Sequence, residues 1–200
     1  EPPVRTMGMT AESWTEADIP DLTGRTAIVT GANSGIGYEA TDLLTANGAH
    51  VVLAVRNKER GEAATDRIDD SHPGSLSVRT LDLADLDSVE TFTREIHADY
   101  QKLDFLFNNA GVMAIPRNET VDGFETQFGV NHLGHFALTG QLLGLLRESD
   151  RESRVLTQSS GMHERGTIDF EDLQSETSYD RWDAYAQSKL ANVLFACELD

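Results

Sequence analysis

From Arg25 onward the chain alternates between short β-branched apolar runs and longer stretches whose apolar positions recur at helical spacing. Thr26 to Thr30 reads as a buried strand, and Gly35 to Asn47 as a helix closed at Gly48, where a left-handed cap costs little. His50 to Val55 is a second apolar strand. A polar helix from Asn57 to Asp70, a His72-Pro73-Gly74 turn and a strand from Leu76 to Leu81 follow. Leu86, Val89, Phe92 and Ile96 lie on one face of a helix predicted over Asp85 to Tyr100. Further strands are predicted at Leu103 to Phe107 and Arg154 to Gln158, a long helix at Val121 to Leu146 and a final helix at Tyr185 to Leu199. Met162 to Asp183 is the one long irregular stretch, of a length that usually marks a functional loop.

Repeated βα units with nearly continuous apolar strands predict a parallel sheet covered on both faces, an α/β doubly wound fold of three αβα layers with right-handed crossovers. The 200 residues suffice for one core, so residues 21–200 are expected to form a single domain behind a flexible arm at 1–20. The arm has no basic segment followed by an apolar run, so it does not read as a secretory signal. Met7 or Met9 reads as an alternative start, and the default location is cytoplasmic.

Composition narrows the partners. Hydrophobic residues make up 39%, with no run long enough to predict a membrane span. The 34 acidic against 16 basic residues give a formal charge of −18, which disfavours nucleic acid. Lysine occurs only at 58, 102 and 189, and this pairing of few lysines with many carboxylates resembles proteins of salt-accumulating halophiles. Cys197 is the only cysteine, which excludes an internal disulfide and fits a reducing compartment. His132, His135 and His163 lack the accompanying cysteine or carboxylate spacing of a metal site and read as solvated or helix-face residues, so no metal is expected.

Between the first strand and its helix stands Thr30-Gly31-Ala32-Asn33-Ser34-Gly35-Ile36-Gly37. In that position a glycine-rich turn places helix N-terminal amides against a pyrophosphate: Gly31 allows the turn, Gly35 the approach of the phosphates and Gly37 the close packing of helix on strand. Three glycines in eight residues also make an ordinary loop, and it is the placement after a strand and before a helix that favours a dinucleotide. About 20 residues further on, an acidic side chain would bind a free ribose 2′-hydroxyl and repel a 2′-phosphate. Val55 and Arg56 occupy that place, so NADP(H) is expected over NAD(H), with the Arg56 guanidinium on the phosphate.

Tyr185 and Lys189 lie one helical turn apart, and Ser159 and Ser160 end the fifth strand. The glycine loop, Asn108-Asn109-Ala110-Gly111 after the fourth strand, Asn131 in Val130-Asn131-His132, Ser160, and Tyr185-Ala186-Gln187-Ser188-Lys189 together resemble the short-chain dehydrogenase/reductase family, with its Rossmann-like fold. The stretch Ile168 to Leu173 and the Ser-Lys-Leu-Ala-Asn core of the last helix resemble the branch of the retinol dehydrogenases and WW-domain oxidoreductases.

The resemblance implies an oxidoreductase that interconverts an alcohol, in this branch a lipophilic one, with its aldehyde or ketone. It assigns Tyr185 as general acid/base, Lys189 as the cation that favours the phenolate and binds the nicotinamide ribose, Ser160 as the group that hydrogen-bonds the substrate oxygen, and Asn131 as the holder of a relay water. A free tyrosine titrates near 10, so such help is physically required. Asn33, Ser34 and Ile36 join the three glycines at the cofactor, with Asn109, Ala110 and Gly111; Asp82, in Leu81-Asp82-Leu83, faces the adenine alongside Leu83, and Asn108 braces the central strands. The family continues through a sixth strand, a Pro-Gly segment, a substrate lid and a last strand that this chain does not contain, so the chain reads as C-terminally truncated. Subunit contact in a homo-oligomer would use Leu138, Leu142, Leu145, Val193 and Leu194, although core packing accounts for them equally. The competing reading is a non-catalytic NADP-binding sensor or interaction protein; a sugar-nucleotide epimerase shares the Tyr/Lys pair but prefers another glycine spacing.

Overall fold

The computed structural model describes residues 15–200, so residues 1–14 of the expected arm lie outside the described residues. The segment that follows makes one 3-10 turn at Glu16–Asp18, in which Thr15 and Asp18 exchange hydrogen bonds, and Ile19 packs against the core.

Five parallel strands form the sheet: β1 (Thr26–Thr30), β2 (His50–Val55), β3 (Ser75–Thr80), β4 (Phe105–Asn108) and β5 (Arg154–Thr157), in the order β3-β2-β1-β4-β5. The chain moves outward from β1 to β3 and then returns to the other side of β1, so a topological switch point lies between β1 and β4. Crossover helices α1 (Gly35–Ala46), α2 (Lys58–Thr65) and α3 (Leu86–Asp99) connect the first four strands. Between β4 and β5 the helical run divides into α4 (Thr126–Phe128), a π-helical segment (Gly129–Leu133) and α5 (Gly134–Arg147). A 3-10 helix (Gly161–Arg165) and α6 (Arg181–Leu199) follow β5, and the arrangement is the doubly wound αβα one expected.

Strand alternation divides the core between the two faces. Ala27 and Val29 of β1 and Val51, Leu53 and Val55 of β2 join one apolar cluster with Ala64, Tyr38 and Leu44 of α1 and α2. Ile28, Val52, Ala54 and Leu106 point the other way, against Val89, Phe92 and Ile96 of α3 and Leu138, Leu142 and Leu145 of α5. Each fully buried aliphatic or aromatic side chain contributes about 1.5–3 kcal/mol, so these faces carry the fold. Leu138, Leu142 and Leu145 thus belong to the core, which removes them as support for a subunit contact, whereas Leu194 is exposed.

Element ends depart from the sequence reading where side chains intervene. Leu103 and Asp104 precede β4 rather than beginning it: Leu103 N–H donates to the Leu145 carbonyl, and Asp104 pairs with Arg25 at 2.8 Å. Burial alone would raise the Asp104 carboxyl, but the Thr26 amide, Arg25 and Ser149 outweigh it and hold the pKa below the ordinary range. The long helix starts at Thr126 and not at Val121, because the Glu125 carboxylate caps the amides of Gln127 and Phe128. Asp180 caps Trp182 and Asp183 likewise, so α6 begins one turn before Tyr185.

Candidate active site

At the carboxyl ends of β1, β2 and β4 a cleft of about 490 Å³ opens over the switch point, the place where open α/β sheets bind ligands. Gly31, Asn33, Ser34 and Ile36 line it from the glycine turn, Arg56 from the end of β2, Asp82 and Leu83 from the end of β3, and Asn109, Ala110 and Gly111 from the end of β4. Ten of the expected cofactor residues therefore meet in one place.

The remaining glycines shape the turn. Gly31 is left-handed, with φ of 67°, and a Cβ on it would stand 3.1 Å from Ala110. A Cβ on Gly37 would stand 2.6 Å from the Gly31 carbonyl oxygen, so helix and turn pack at a distance only glycine permits. Gly35, by contrast, faces open space, and Ser34 gives the first amides of α1 no side-chain cap. Free helix N-terminal donors above an open glycine are a cradle for an anion, so these residues fit a dinucleotide pyrophosphate. Thr30 locks the turn to β4: its Oγ1 accepts from the amides of Asn109 and Ala110, each at 2.9 Å, and Asn109 Nδ2 donates to the Thr30 carbonyl.

Three residues beside the cleft were not singled out from the sequence. Asn57 caps α2 by accepting from the Arg60 amide at 2.8 Å, and both line the cleft next to Arg56. Arg67 donates to the Asn33 carbonyl while its guanidinium lies 4.4 Å from the centroid of the Tyr38 ring. The signal for Arg60 was present in the asparagine cap that fixes the first turn of α2; nothing local identified Arg67.

Tyr185, Lys189, Ser160 and Asn131 lie outside the lining of that cleft. Lys189 is buried at 4% exposure, donates from Nζ to the Gln158 carbonyl at 3.0 Å and stands 5.7 Å from the centroid of the Tyr185 ring. Desolvation lowers its pKa to about 8. A Cβ on Gly111 would lie 2.9 Å from Asn131 Oδ1 and 3.7 Å from Lys189 Nζ, so the cleft wall and the Lys189 amine are neighbours. Tyr185 is buried at 8% exposure, with Trp182 edge-on at 6.4 Å between ring centroids. Ser160 caps the 3-10 helix by accepting from the Met162 amide, while the adjacent Ser159 donates to the Lys189 carbonyl.

Asn131 lies within the π-helical segment, a form that recurs at functional sites. Its Oδ1 accepts from Val112 N–H at 2.8 Å, and its Nδ2 donates to the Val112 carbonyl and to Ser188 Oγ. Ser188 Oγ in turn donates to the Tyr185 carbonyl at 2.7 Å. Asn108 is buried and donates to Thr139 Oγ1, bracing β4 against α5.

Further clamps hold the strand-end loop after Gly111. Gln127 Oε1 accepts from Ala114 N–H, fixing that residue at φ of 51°, and Tyr179 donates to the Ile115 carbonyl. Burial and the Glu125 carboxylate raise the Tyr179 phenol above its usual value. None of these clamps was legible, since Gln127 and Tyr179 are 52 positions apart.

The three histidines take unrelated places. His135 is buried, His132 packs against Phe128, Phe136 and Phe195, and His163 faces the Ser160 carbonyl. Among the described residues no group of three or more His, Cys, Asp or Glu side chains is placed to hold a metal, and no helix is long and apolar enough to cross a membrane.

Fold and cleft together define a nucleotide-binding αβα protein with a tyrosine–lysine pair beside the nucleotide cleft. The sequence pattern described as short chain dehydrogenase matches residues 25–199, and the chain belongs to that family, in its retinol-dehydrogenase-like branch. It is 46% identical over 187 residues to retinol dehydrogenase 14 of Mus musculus, covering 88% of this chain and 56% of that protein. Among solved structures it is similar to an uncharacterized protein from Mycobacterium paratuberculosis (48% identity, TM-score 0.83, 93% of this chain and 65% of that one). A short chain dehydrogenase from Shigella flexneri complexed with NADP is 28% identical with a TM-score of 0.72, covering 90% of this chain and 73% of that one. The chain spans about half the length of the curated relatives it matches.

 

Proposed function

We propose that the chain carries the cofactor cleft and catalytic groups of an NADP(H)-dependent oxidoreductase that interconverts an alcohol and its aldehyde or ketone. The observation that carries this reading is the position of Lys189 Nζ, close both to the Tyr185 ring and to the Gly111 wall of the dinucleotide cleft. A cation there acts on the proton-transfer group and on the cofactor side at once.

The α1 amides and the glycine turn would hold the pyrophosphate, Arg56 and Arg60 the ribose 2′-phosphate, and Asp82 and Leu83 the adenine side. When bound, the nicotinamide supplies or accepts the hydride. Tyr185 gives a proton to the substrate oxygen in reduction and takes it back in oxidation, and Ser160 hydrogen-bonds that oxygen as its charge develops. Lys189 has three donors, of which the Gln158 carbonyl takes one, so two remain for the ribose hydroxyls and for Tyr185. Asn131 fixes the Val112 backbone and Ser188, and so the spacing between cleft and catalytic helix.

Arg56 and Arg60 favour NADP(H) over NAD(H), and a neighbouring structure complexed with NADP supports the same choice. Similarity to retinol dehydrogenases supports a lipophilic alcohol or aldehyde as substrate. The single cysteine suits a reducing, cytoplasmic setting, and exposed Phe136 and Leu194 suit a homo-oligomer. The test is aldehyde-dependent oxidation of NADPH and, separately, of NADH, across aldehydes of increasing apolar length. Faster turnover with NADPH and a long-chain aldehyde is expected; binding of NADPH without turnover of any carbonyl would favour a sensor instead.

A further inference from the structure

His135 is buried at 1% exposure and has no part in the proton transfer described above, yet both ring nitrogens are engaged. Nδ1 lies 3.0 Å from the Asn131 carbonyl oxygen, and Nε2 lies 2.9 Å from Thr30 Oγ1. A carbonyl only accepts, so Nδ1 carries the proton and Nε2 is the acceptor. The single Thr30 hydroxyl proton has two acceptors in reach, Nε2 at 2.9 Å and the Phe107 carbonyl at 3.1 Å, and the shorter contact to Nε2 is the one this tautomer accepts, while the Thr30 oxygen accepts the Asn109 and Ala110 amides.

The bonds form one chain. It runs from the Asn109 and Ala110 amides through Thr30 and His135 to the Asn131 carbonyl, and onward from the Asn131 side chain through Ser188 to the Tyr185 carbonyl. One end is the wall of the dinucleotide cleft and the other is the helix that carries Tyr185 and Lys189. We propose that His135 is a positioning residue that fixes the π-helical segment, and with it the Tyr185–Lys189 pair, against the cofactor loop. This inference rests on the catalytic reading of Tyr185 and Lys189 given above. Desolvation supports the neutral ring it needs: burial lowers the His135 pKa to about 4, the Asn131 carbonyl opposes that shift, and the charges of Lys189 on α6 and His132 on the π-helical segment add to it.

Three substitutions separate the two bonds. His135→Asn keeps a donor near the Nδ1 position for the Asn131 carbonyl, His135→Gln keeps an acceptor near the Nε2 position for Thr30, and His135→Leu keeps neither. With NADPH and an aldehyde, kcat is expected to fall at least about tenfold in His135→Leu and His135→Asn, which lose the Thr30 bond across to the cofactor loop, by the cost of a misplaced reacting group. His135→Gln, which keeps that bond, should recover most of it, with NADPH affinity in all three close to that of the unsubstituted protein. Equal kcat in all variants, or equal loss in all three, would overturn the proposal. The ring tautomer, read from nitrogen chemical shifts of the unsubstituted protein, provides a check that needs no variant to fold: a proton on Nε2 would also overturn it. Absence of turnover in the unsubstituted protein is a different result, since it defeats the catalytic reading and the positioning role falls with it.

Discussion

Lys189 Nζ stands 5.7 Å from the centre of the Tyr185 ring while donating to the Gln158 carbonyl, so the amine is held at the end of β5 rather than left to solvent. Its burial lowers the pKa from 10.5 to about 8. Between those values the unfolded chain binds more protons than the folded one, so stability rises with pH. The contribution of the uncharged amine is complete above 10.5 and is lost as pH falls through 8. Lys189→Met removes a buried charge that is present at neutral pH. The expected outcome is a melting temperature at pH 7 no lower than that of the unsubstituted protein, a flatter rise in stability across the alkaline range, and loss of turnover by about a hundredfold or more. Calorimetry across that range, with parallel rate measurements, checks all three.

Arg56 and Arg60 both face the cleft from exposed positions at the end of β2 and the start of α2. Replacing either with alanine should weaken NADPH binding by about tenfold, the loss of one charge-assisted contact of roughly 1.5 kcal/mol, and leave NADH nearly unchanged. The double substitution should erase the preference. A fluorescence titration with each cofactor reads the ratio, and unchanged NADPH affinity in the double variant would remove the 2′-phosphate assignment.

His135 sets an acid limit on stability. Its folded pKa of about 4 lies below the unfolded value of 6.5, so its contribution is full above 6.5 and is lost as pH falls through 4. The shift corresponds to about 3 kcal/mol at most. His135→Gln should therefore lose stability at pH 7 but show a shallower decline in acid, measured by denaturant titration at several pH values.

The formal charge of −18 leaves carboxylates in excess over the cations available to pair with them. Added salt screens that repulsion, so the melting temperature should rise with potassium chloride well beyond physiological strength. A melting temperature independent of salt would count against the halophilic reading.

The sheet and its order of elements were legible because the apolar runs of β1 and β2 are nearly continuous and their glycine turn is local. The ends were less so: Asp104 and Glu125 act through partners distant in sequence or through a cap hidden in a turn, whereas Asp180 before Arg181 is a local N-cap signal. The cofactor cleft was legible as a string of motifs at strand ends. His135 does lie on a helix face, as one of the two sequence readings has it, and its burial follows from preceding Leu138 and Leu142 by 3 and 7 positions, which places it on their buried face. The π-helical segment that shifts the helical period at Asn131 had no local signature.

Tyr185 is the residue on which the proposed proton transfer depends most directly. With saturating NADPH and a lipophilic aldehyde, Tyr185→Phe should lower kcat by about a hundredfold or more, as loss of a general acid does, while NADPH binds as tightly as before. Turnover retained in Tyr185→Phe would contradict the assignment of the proton to that hydroxyl.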